Sequence, residues 1–447
     1  MMKAPRRALG ASFVVLVVAL ALAFFVVPAI RDSGQESSVE GPFSLVYYDG
    51  HMHTTRSDGS GSVADIKATA LGRGLSAVII TDHCESLTRA EWESLIAETA
   101  AASDPGAFLA LPGFEVTGSE GIFNRGHFLA YNAPDPFVGD DVDELCPEEV
   151  WPDPPNPAGT GPMHPENLAK WADYVHSQGG IVVHNHTSGS TQPGYGVDSI
   201  EVYNQGHIDD IAGYVKLLGY SDEEALRLAT TLNNLALYGE RDLGMIVSFG
   251  ESGMIPLRLA VHQATGQWMG SPEAPLNSWD QLLMDYVNGT VDAPIFGVAD
   301  SDTHNAGDPD SNVGVAKNGL YVKELTAREV YEAIKAGRSF ATTGPSLTFD
   351  VNGELMGGTA VISDGAATLN LGVDSEGHGE LVEIVIWRNG LVWKTIHPSS
   401  STPTPTYEAT LDDQAPEAGY YRVEVTSQDA SGTYHFAWSN PVFVQVP

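Results

Sequence analysis

Short apolar segments alternate with helical segments from Leu45 to Ala336, and this alternation limits the possible folds more than any other feature of the sequence. The apolar segments are rich in β-forming residues and are short, which is typical of strands. Repetition of a strand and then a helix favours a parallel α/β architecture, with a barrel as its leading form. The predicted strands are Leu45–Tyr48, Ala77–Ile80, Phe108–Leu111, Phe128–Tyr131, Ile181–Val183, Ile200–Tyr203 and Ile295–Val298. The predicted helices are Val63–Leu71, Arg89–Ala102, Pro165–Ser177, Ile208–Leu218, Asp222–Tyr238 and Ala327–Ala336.

Helical periodicity stops at Gly344-Pro345, and the rest of the chain has the pattern of a separate β region. Turn signals such as Asn352-Gly353 and Asn389-Gly390 divide its apolar segments. The spacing predicts a small antiparallel, immunoglobulin-like β-sandwich over residues 345–447, after an α/β domain over residues 45–344. The predicted strands are Leu347–Val351, Ala367–Val373, Glu383–Trp387, Tyr420–Thr426 and Pro441–Val446.

The N-terminus carries a segment long enough to cross a membrane. Basic residues occur within Met1–Arg7, and Ala8–Ile30 contains no charged residue. At about 1.5 Å per residue this segment can span a hydrocarbon core of ~30 Å, and its basic flank stays in the cytoplasm. We expect residues 1–30 to be a retained anchor or a signal peptide cleaved near Ala23, and residues 31–44 to be a linker. In both cases the remainder of the chain is exported.

The charge balance disfavours one class of partner. The chain has 22 basic and 58 acidic residues, which give a formal net charge of −36. Such a surface repels nucleic acid, because basic side chains are what neutralise phosphates, so nucleic acid is not expected as a main partner. An anionic substrate would need local positive charge, and bound metal ions are the obvious source.

Residues that bind metals stand at the ends of nearly all the predicted α/β strands. In α/β barrels the carboxyl ends of the strands meet at one mouth, where active sites lie. These residues are therefore expected to converge. In chain order the motifs are Asp49-Gly50-His51-Met52-His53, Ser57-Asp58-Gly59, Thr81-Asp82-His83, Gly113-Phe114-Glu115, Gly126-His127, His184-Asn185-His186 and Asp300-Ser301-Asp302-Thr303-His304.

The spacing and the residue types of these motifs favour a metal cluster. Alternate side chains of an extended segment point to the same side, so each His-x-His pair can face one cluster. Imidazole nitrogen combined with carboxylate oxygen suits zinc, manganese or iron. The chain has only Cys84 and Cys146, which excludes a structural zinc finger and leaves their pairing open.

The sequence resembles the PHP (polymerase and histidinol phosphatase) superfamily over about Leu45 to Pro345. The first motif of that superfamily has the form Asp-x-His-x-His-Thr-x-x-Ser-Asp-Gly, which is similar to Asp49–Gly59. Thr81-Asp82-His83 and the Asp-x-His that ends at His304 also match, in the order that the superfamily has. The resemblance implies a distorted (β/α)7 barrel that holds two or three divalent metal ions.

The resemblance also implies a ligand set, position by position. It places His51, His53, Glu115 and Asp302 on the first metal, as the catalytic set. Glu115 bridges to a second metal, which His127 and His186 complete. The third metal takes Asp58, His83 and His304. Members of the superfamily usually have one histidine followed by proline on the fifth strand, whereas Thr187 follows His186 here and His184 is an alternative ligand.

Four further residues are expected to support the ligands or the substrate. Asp82 or His184 could orient a ligand or move a proton, and supporting a ligand is the expected role of Asp82. Arg56 and Arg125 are the basic residues nearest to the motifs and are candidates for steadying a phosphate.

These observations predict an exported hydrolase that attacks a small phosphoester with a metal-activated hydroxide. Gly344-Pro345-Ser346 and Trp438-Ser439-Asn440-Pro441 resemble, more loosely, the branch that includes carbaryl hydrolase, which implies hydrolysis of a carbamate, ester or amide as an alternative. A second alternative is a non-catalytic surface protein that binds glycan or protein through the tryptophans of its β region, which are Trp387, Trp393 and Trp438.

Overall fold

A computed structural model of the protein describes residues 43–116, 127–132, 165–185, 196–206, 278–363, 365–398 and 404–446. All of them belong to one compact unit, Val39–Pro447. The predicted segment 1–30, most of the predicted linker and the predicted helices Ile208–Leu218 and Asp222–Tyr238 lie outside these ranges. No helix among the described residues is long and apolar enough to cross a membrane.

The described residues form five α-helices, and side-chain caps fix where the first two begin. Ser62 and Thr88 each accept a hydrogen bond from the third helical residue, whose carboxylate bonds back to the capping residue. These reciprocal bonds satisfy two otherwise unpaired N–H groups at each start. Two predicted helices match residue for residue, and the fourth was not predicted. The helices are α1 (Val63–Gly72), α2 (Arg89–Ala102), α3 (Pro165–Ser177), α4 (Ser278–Val287) and α5 (Ala327–Lys335).

Nine strands come before the β region. All seven predicted strands are present, and most of them extend further at one or both ends than the apolar pattern indicated. The last two were not predicted. The nine strands are β1 (Ser44–Asp49), β2 (Ala77–Ile80), β3 (Leu109–Val116), β4 (Phe128–Tyr131), β5 (Ile181–His184), β6 (Ser199–Asn204), β7 (Phe296–Asp300), β8 (Lys317–Val322) and β9 (Ser339–Thr342).

The sheet is mixed rather than purely parallel. Strands β1, β2 and β3 are parallel neighbours, as are β5, β6 and β7. Strand β4 runs antiparallel to both β3 and β5, and β8 runs antiparallel to β1. The reversal of β4 corrects the expected uniform direction. It also brings the start of β4, where His127 lies, to the edge at which the parallel strands end.

Two asparagine side chains cover the free edge of β7. Asn318 of β8 accepts from Ala299 N and donates to Ala299 O, both at 2.8 Å. Asn440, from the β region, accepts from Gly297 N at 2.7 Å and donates to Gly297 O at 3.2 Å. Each amide thus supplies the donor and the acceptor that a neighbouring strand would give. The sheet therefore curls until β7 lies against β8.

The β region consists of two sheets around one core. The smaller sheet contains the four strands Glu354–Leu355, Ser346–Val351, Ala367–Asp374 and Thr406–Asp413, and the other strands extend the large sheet beyond β9. Phe349 and Leu371 of the smaller sheet share a buried cluster with Ile384 and Val423 of the larger one. All five predicted strands are present. The pairing is antiparallel except between the strands Thr359–Val361 and Val442–Gln445, which are parallel. The strands are β10 (Ser346–Val351), β11 (Glu354–Leu355), β12 (Thr359–Val361), β13 (Ala367–Asp374), β14 (Glu380–Arg388), β15 (Leu391–Ile396), β16 (Thr406–Asp413), β17 (Gly419–Gln428), β18 (Tyr434–Ser439) and β19 (Val442–Gln445).

A buried arginine ties this region to α4. Arg422 of β17 is fully buried and donates to both carboxylate oxygens of Asp280, at 2.7 and 2.6 Å. Its third donor reaches Glu424. The guanidinium lies over the rings of Trp279 and Trp387, at 5.1 and 4.6 Å from their centroids. We call these five residues the arginine clamp. Because Trp387 is part of it, this ring does not belong to an exposed aromatic face.

Candidate metal centre

The segment after β1 places two histidines side by side. His51 and His53 flank Met52, whose backbone bridges to Thr303 beyond β7. Since alternate residues of an extended segment point to the same side, both imidazoles face one space, with ring centroids 5.1 Å apart. Met52 points into the hydrophobic core instead. The expected convergence of this His-x-His pair is therefore present.

The first ligand group is buried and contains four converging donor atoms. The Nε2 atoms of His51 and His53 lie 3.1 Å apart. Glu115 Oε2 lies 3.2 and 3.1 Å from them, and Asp302 Oδ1 lies 3.2 and 3.3 Å from them. Asp302 has a φ of 50°, a left-handed conformation that is strained for most residues and is concentrated at functional sites. In this conformation the carboxylate faces the two histidines.

The second ligand group lies on the solvent-facing side and contains His53, Asp58, His83 and His304. Asp58 Oδ2 lies 3.2 Å from His304 Nε2 and 3.5 Å from His83 Nε2, while its Oδ1 lies 3.5 Å from His53 Nδ1. The rings of His53 and His304 are stacked at 4.2 Å. The side chains of Asp58 and His304 are 54% and 41% exposed, so small molecules can reach this side of the centre.

The third ligand group joins His83, Glu115 and His127. Glu115 Oε1 lies 2.6 Å from His127 Nδ1, and its Oε2 lies 3.3 Å from His83 Nδ1. One carboxylate therefore faces two groups with its two oxygens, which is the position of a bridging ligand. The predicted ligand His186 lies outside the described residues, and its role stays a prediction.

The electrostatics of the cluster favour cations among its ligands. Burial alone would lower the pKa of His53, but hydrogen bonds to Asp302 and Glu115 outweigh it and raise that pKa to about 10. The pKa of His51 is also raised, since the carboxylates of Asp302, Glu115 and Glu201 outweigh its burial. Surrounding histidines hold the pKa of Glu115 well below its usual value despite burial. Protons supply the positive charge when no metal does, so the donor set fits divalent ions.

Asp82 holds the loop between the first two ligand motifs. Its fully buried carboxylate accepts from Thr54 N at 2.6 Å, from Thr54 Oγ1 at 2.8 Å and from Ser57 Oγ at 2.8 Å. These bonds shape the turn that separates His53 from Asp58. The predicted role of Asp82 as a support for a metal ligand stays a prediction.

Asn185 contacts the carboxylate of Glu115, and the sequence motifs did not predict this contact. It is fully buried, and its Nδ2 donates to Glu115 Oε1 at 2.6 Å. The only signal for it in the sequence is its place between His184 and His186, and the histidines are the residue type expected to bind metal. His184 is in none of the three ligand groups found among the described residues, and its ring stacks on Phe128 at 4.4 Å.

The two basic candidates have different outcomes. The guanidinium of Arg56 pairs with Glu98 of α2 and donates to Ser94 at 3.3 Å. Its positive charge is therefore directed at a carboxylate of the protein. Arg125 lies outside the described residues. Cys84, next to His83, is buried and disulfide-bonded, whereas Cys146 lies outside the described residues.

No family model and no curated protein matches this chain. Among solved structures, it is similar to a two-domain protein from Bacteroides vulgatus ATCC 8482 that contains a predicted PHP-like metal-dependent phosphoesterase. That similarity has 12% identity and a TM-score of 0.39, and covers 92% of this chain and 100% of the other.

Two further solved structures are similar over less of the chain. A candidate metal-dependent phosphoesterase from Bifidobacterium adolescentis ATCC 15703 has 16% identity and a TM-score of 0.28, and covers 63% of this chain and 94% of its own. An amidohydrolase from Chromobacterium violaceum has 15% identity and a TM-score of 0.25. That similarity covers 38% of this chain and 81% of the amidohydrolase. At these scores, the assignment of ligands rests on distances within this chain.

Proposed function

We propose that this protein is an exported, metal-dependent phosphoesterase that uses two or three divalent ions. The overlap of the three ligand groups carries the proposal: His53 and His83 each belong to two groups, and Glu115 faces two of them with different oxygens. Shared and bridging ligands are what a site with more than one metal requires. The PHP-like motifs of the sequence support the same function.

The proposed centre has a buried side and a solvent-exposed side, and the residues of the two sides have different roles. A divalent ion in this donor set supplies Lewis acidity, which activates water near neutral pH and offsets negative charge on the attacked phosphoryl group. His51, His53 and Glu115 are fully buried and hold the ligand geometry away from solvent. Asp58 and His304 form the exposed side, from which we infer that the substrate enters. Zinc, manganese and iron all suit these ligands.

A second candidate is hydrolysis of a neutral carbamate, ester or amide. The pairing of Arg56 with Glu98 favours it, because that pairing occupies one of the two basic residues predicted to bind phosphate. A neutral substrate would need no such positive charge. This candidate also agrees with the looser resemblance to the branch that includes carbaryl hydrolase.

The proposed location rests on the N-terminal sequence alone. The uncharged segment Ala8–Ile30 behind a basic flank supports export, with the catalytic region outside the cytoplasm. The segment would anchor the protein in the membrane, or would release it after cleavage.

The test is turnover by purified full-length protein that has been stripped of metal and reloaded with manganese or zinc. The substrates are p-nitrophenyl phosphate, a p-nitrophenyl phosphodiester and a naphthyl carbamate. We expect metal-dependent phosphoester turnover, and we expect H51A and D302A to lower kcat/KM by more than the roughly 100-fold that loss of a supporting residue costs.

H176A is the matched control, because His176 pairs with Asp198 at 2.7 Å and belongs to none of the three ligand groups. It should keep wild-type turnover. Carbamate turnover without phosphoester turnover would replace the leading function with the second candidate. Loss of turnover in H176A equal to that in H51A would show that the ligand variants act through folding alone.

A further inference from the structure

An irregularity in β6 turns two side chains to the same face. Glu201 pairs with Val298 of β7, but Tyr203 pairs with the next residue of β7, so Val202 is inserted as a β-bulge. In a regular strand, residues three positions apart point to opposite faces. The extra residue brings Glu201 and Asn204 onto one face, and bulges of this kind commonly re-aim side chains beside active sites.

Glu201 uses both of its carboxylate oxygens there. Its Oε1 lies 2.8 Å from His51 Nδ1, and its Oε2 accepts from Asn204 Nδ2 at 2.7 Å. The side chains of Glu201 and His51 are both fully buried. The carboxylate is therefore fixed on one side by the amide and presents its other oxygen to the imidazole.

This contact determines which nitrogen of His51 is available to a metal. A neutral imidazole carries one N–H and one lone pair, and the partner of one nitrogen fixes the state of the other. A carboxylate accepts but does not donate, so Glu201 requires the proton on Nδ1. The lone pair is then on Nε2, which is the atom that faces His53, Glu115 and Asp302.

We propose that Glu201, held by Asn204, is the positioning residue of the first ligand group and fixes His51 as an Nε2 ligand. The inference rests on the proposed metal centre but not on the identity of the reaction. A carboxylate behind a ligating histidine makes the ring more basic and restricts its rotation, and its loss typically lowers metal affinity by 10–100-fold.

The chain offers a matched control for a merely structural role. Asp198 lies just before β6 and also binds a histidine, with Oδ2 2.7 Å from His176 Nε2. Its pair belongs to none of the three ligand groups among the described residues. Removing either carboxylate breaks a carboxylate–histidine contact near β6, but only Glu201 contacts a proposed ligand.

The experiment compares full-length wild type with E201A, E201Q and D198A. Affinity for Zn²⁺ and Co²⁺ is measured by titration, the Co²⁺ absorption spectrum reports the ligand field, and ¹⁵N NMR of labelled histidine reports the tautomers. We expect E201A to bind one ion about 10–100-fold more weakly, with an altered cobalt spectrum and loss of the Nδ1–H signal of His51. E201Q preserves the size and the acceptor without the charge, so its loss should be smaller, and it covers the case in which E201A does not fold. D198A should bind metal like the wild type.

Wild-type affinity and an unchanged cobalt spectrum in both Glu201 variants would overturn the proposal. Equal weakening in D198A would also overturn it, because the effect would then be structural. Metal binding that depends on Glu201 without phosphoester turnover would refute the proposed reaction and leave this inference standing. A wild type that binds no metal would overturn both.

Discussion

The arginine clamp and the first ligand group are both buried clusters of charged side chains, but they differ in what faces their carboxylates. Arg422 donates to Asp280 at two points and to Glu424 at a third, and aromatic rings cover its faces. In the ligand group, nitrogens of His51 and His53 face each other and two carboxylates at 3.1–3.3 Å. Such atoms are compatible only with a proton or a metal ion among them.

The source of the compensating positive charge distinguishes the arginine clamp, a structural cluster, from the ligand group, which we propose binds metal. Buried charge is costly unless it is paired, and the clamp pairs it with groups that the chain provides. The ligand group brings together two imidazoles and two carboxylates from the ends of β1, β3 and β7. Protons on the histidines supply the compensating positive charge, and a divalent ion is the other cation that these ligands fit.

Breaking the clamp should have the largest effect on folding. D280A leaves the guanidinium of Arg422 buried without its bidentate partner, which typically lowers the free energy of unfolding by about 3–5 kcal/mol. Unfolding by denaturant measures this loss of free energy in D280A relative to the wild type. Metal affinity of the protein that remains folded should stay at the wild-type value, because Asp280 is in none of the three ligand groups.

The triple variant D280L/R422M/E424L tests whether this loss comes from an unpaired charge. Replacing all charged members of a buried ion cluster with apolar residues is often neutral. We expect part of the lost free energy to return, because the hydroxyl of Tyr420 still lacks its acceptor Asp280. A triple variant as unstable as D280A would show that the clamp acts through shape rather than through charge pairing.

Removing the side chain that covers the edge of β7 should lower the stability of the fold by less than breaking the clamp does. N440A removes the amide that satisfies both backbone groups of Gly297, and leaving a buried polar group unpaired costs about 1–3 kcal/mol. Thermal unfolding with bound manganese measures this loss. N440D keeps the acceptor for Gly297 N but cannot donate to Gly297 O, so it should not restore wild-type stability. Full stability in both variants would contradict the role assigned to Asn440 as a cover for this edge.

The smallest expected effect is a pH dependence of the stabilisation that bound metal gives through the ligand group. The folded pKa of His53 is about 10, against an ordinary value of 6.5, so its stabilising contribution is complete below pH 6.5 and is lost as pH rises towards 10. Metal ions replace those protons. We therefore expect the difference in Tm between metal-loaded and metal-free protein to widen from about pH 6.5 to 9.5. A difference that stays constant or narrows would contradict the account.

Much of the ligand set follows from local sequence, because the His-x-His and Asp-x-His motifs stand next to strands with clear apolar patterns. The motif at His51 and His53 converges as its spacing of two residues requires. The direction of β4 did not follow, since a strand of four buried residues has the same pattern in either orientation. Its start still delivers His127 to the centre.

The supporting contacts depend on features that are not local. Glu201 and Asn204 share a face only because of a bulge in β6, and strand periodicity predicts the opposite. Asn440 reaches Gly297 across 143 positions of the chain. The helix α4 was missed, although Trp279 and Asp280 at its start complete the arginine clamp. The bulge, the contact of Asn440 and the place of α4 in the clamp all depend on contacts between distant segments of the chain. The pattern of residues within one segment does not predict such contacts.

The most direct test of the metal centre is the number of ions that each chain retains. Full-length protein would be stripped with a chelator, reloaded with zinc or manganese, desalted and measured by elemental analysis, alongside D302A and H176A. We predict two or three ions per chain in the wild type and in H176A, with at least one ion lost in D302A. A reloaded wild type that retains fewer than two ions per chain, or a D302A variant that retains as many as the wild type, would contradict this prediction.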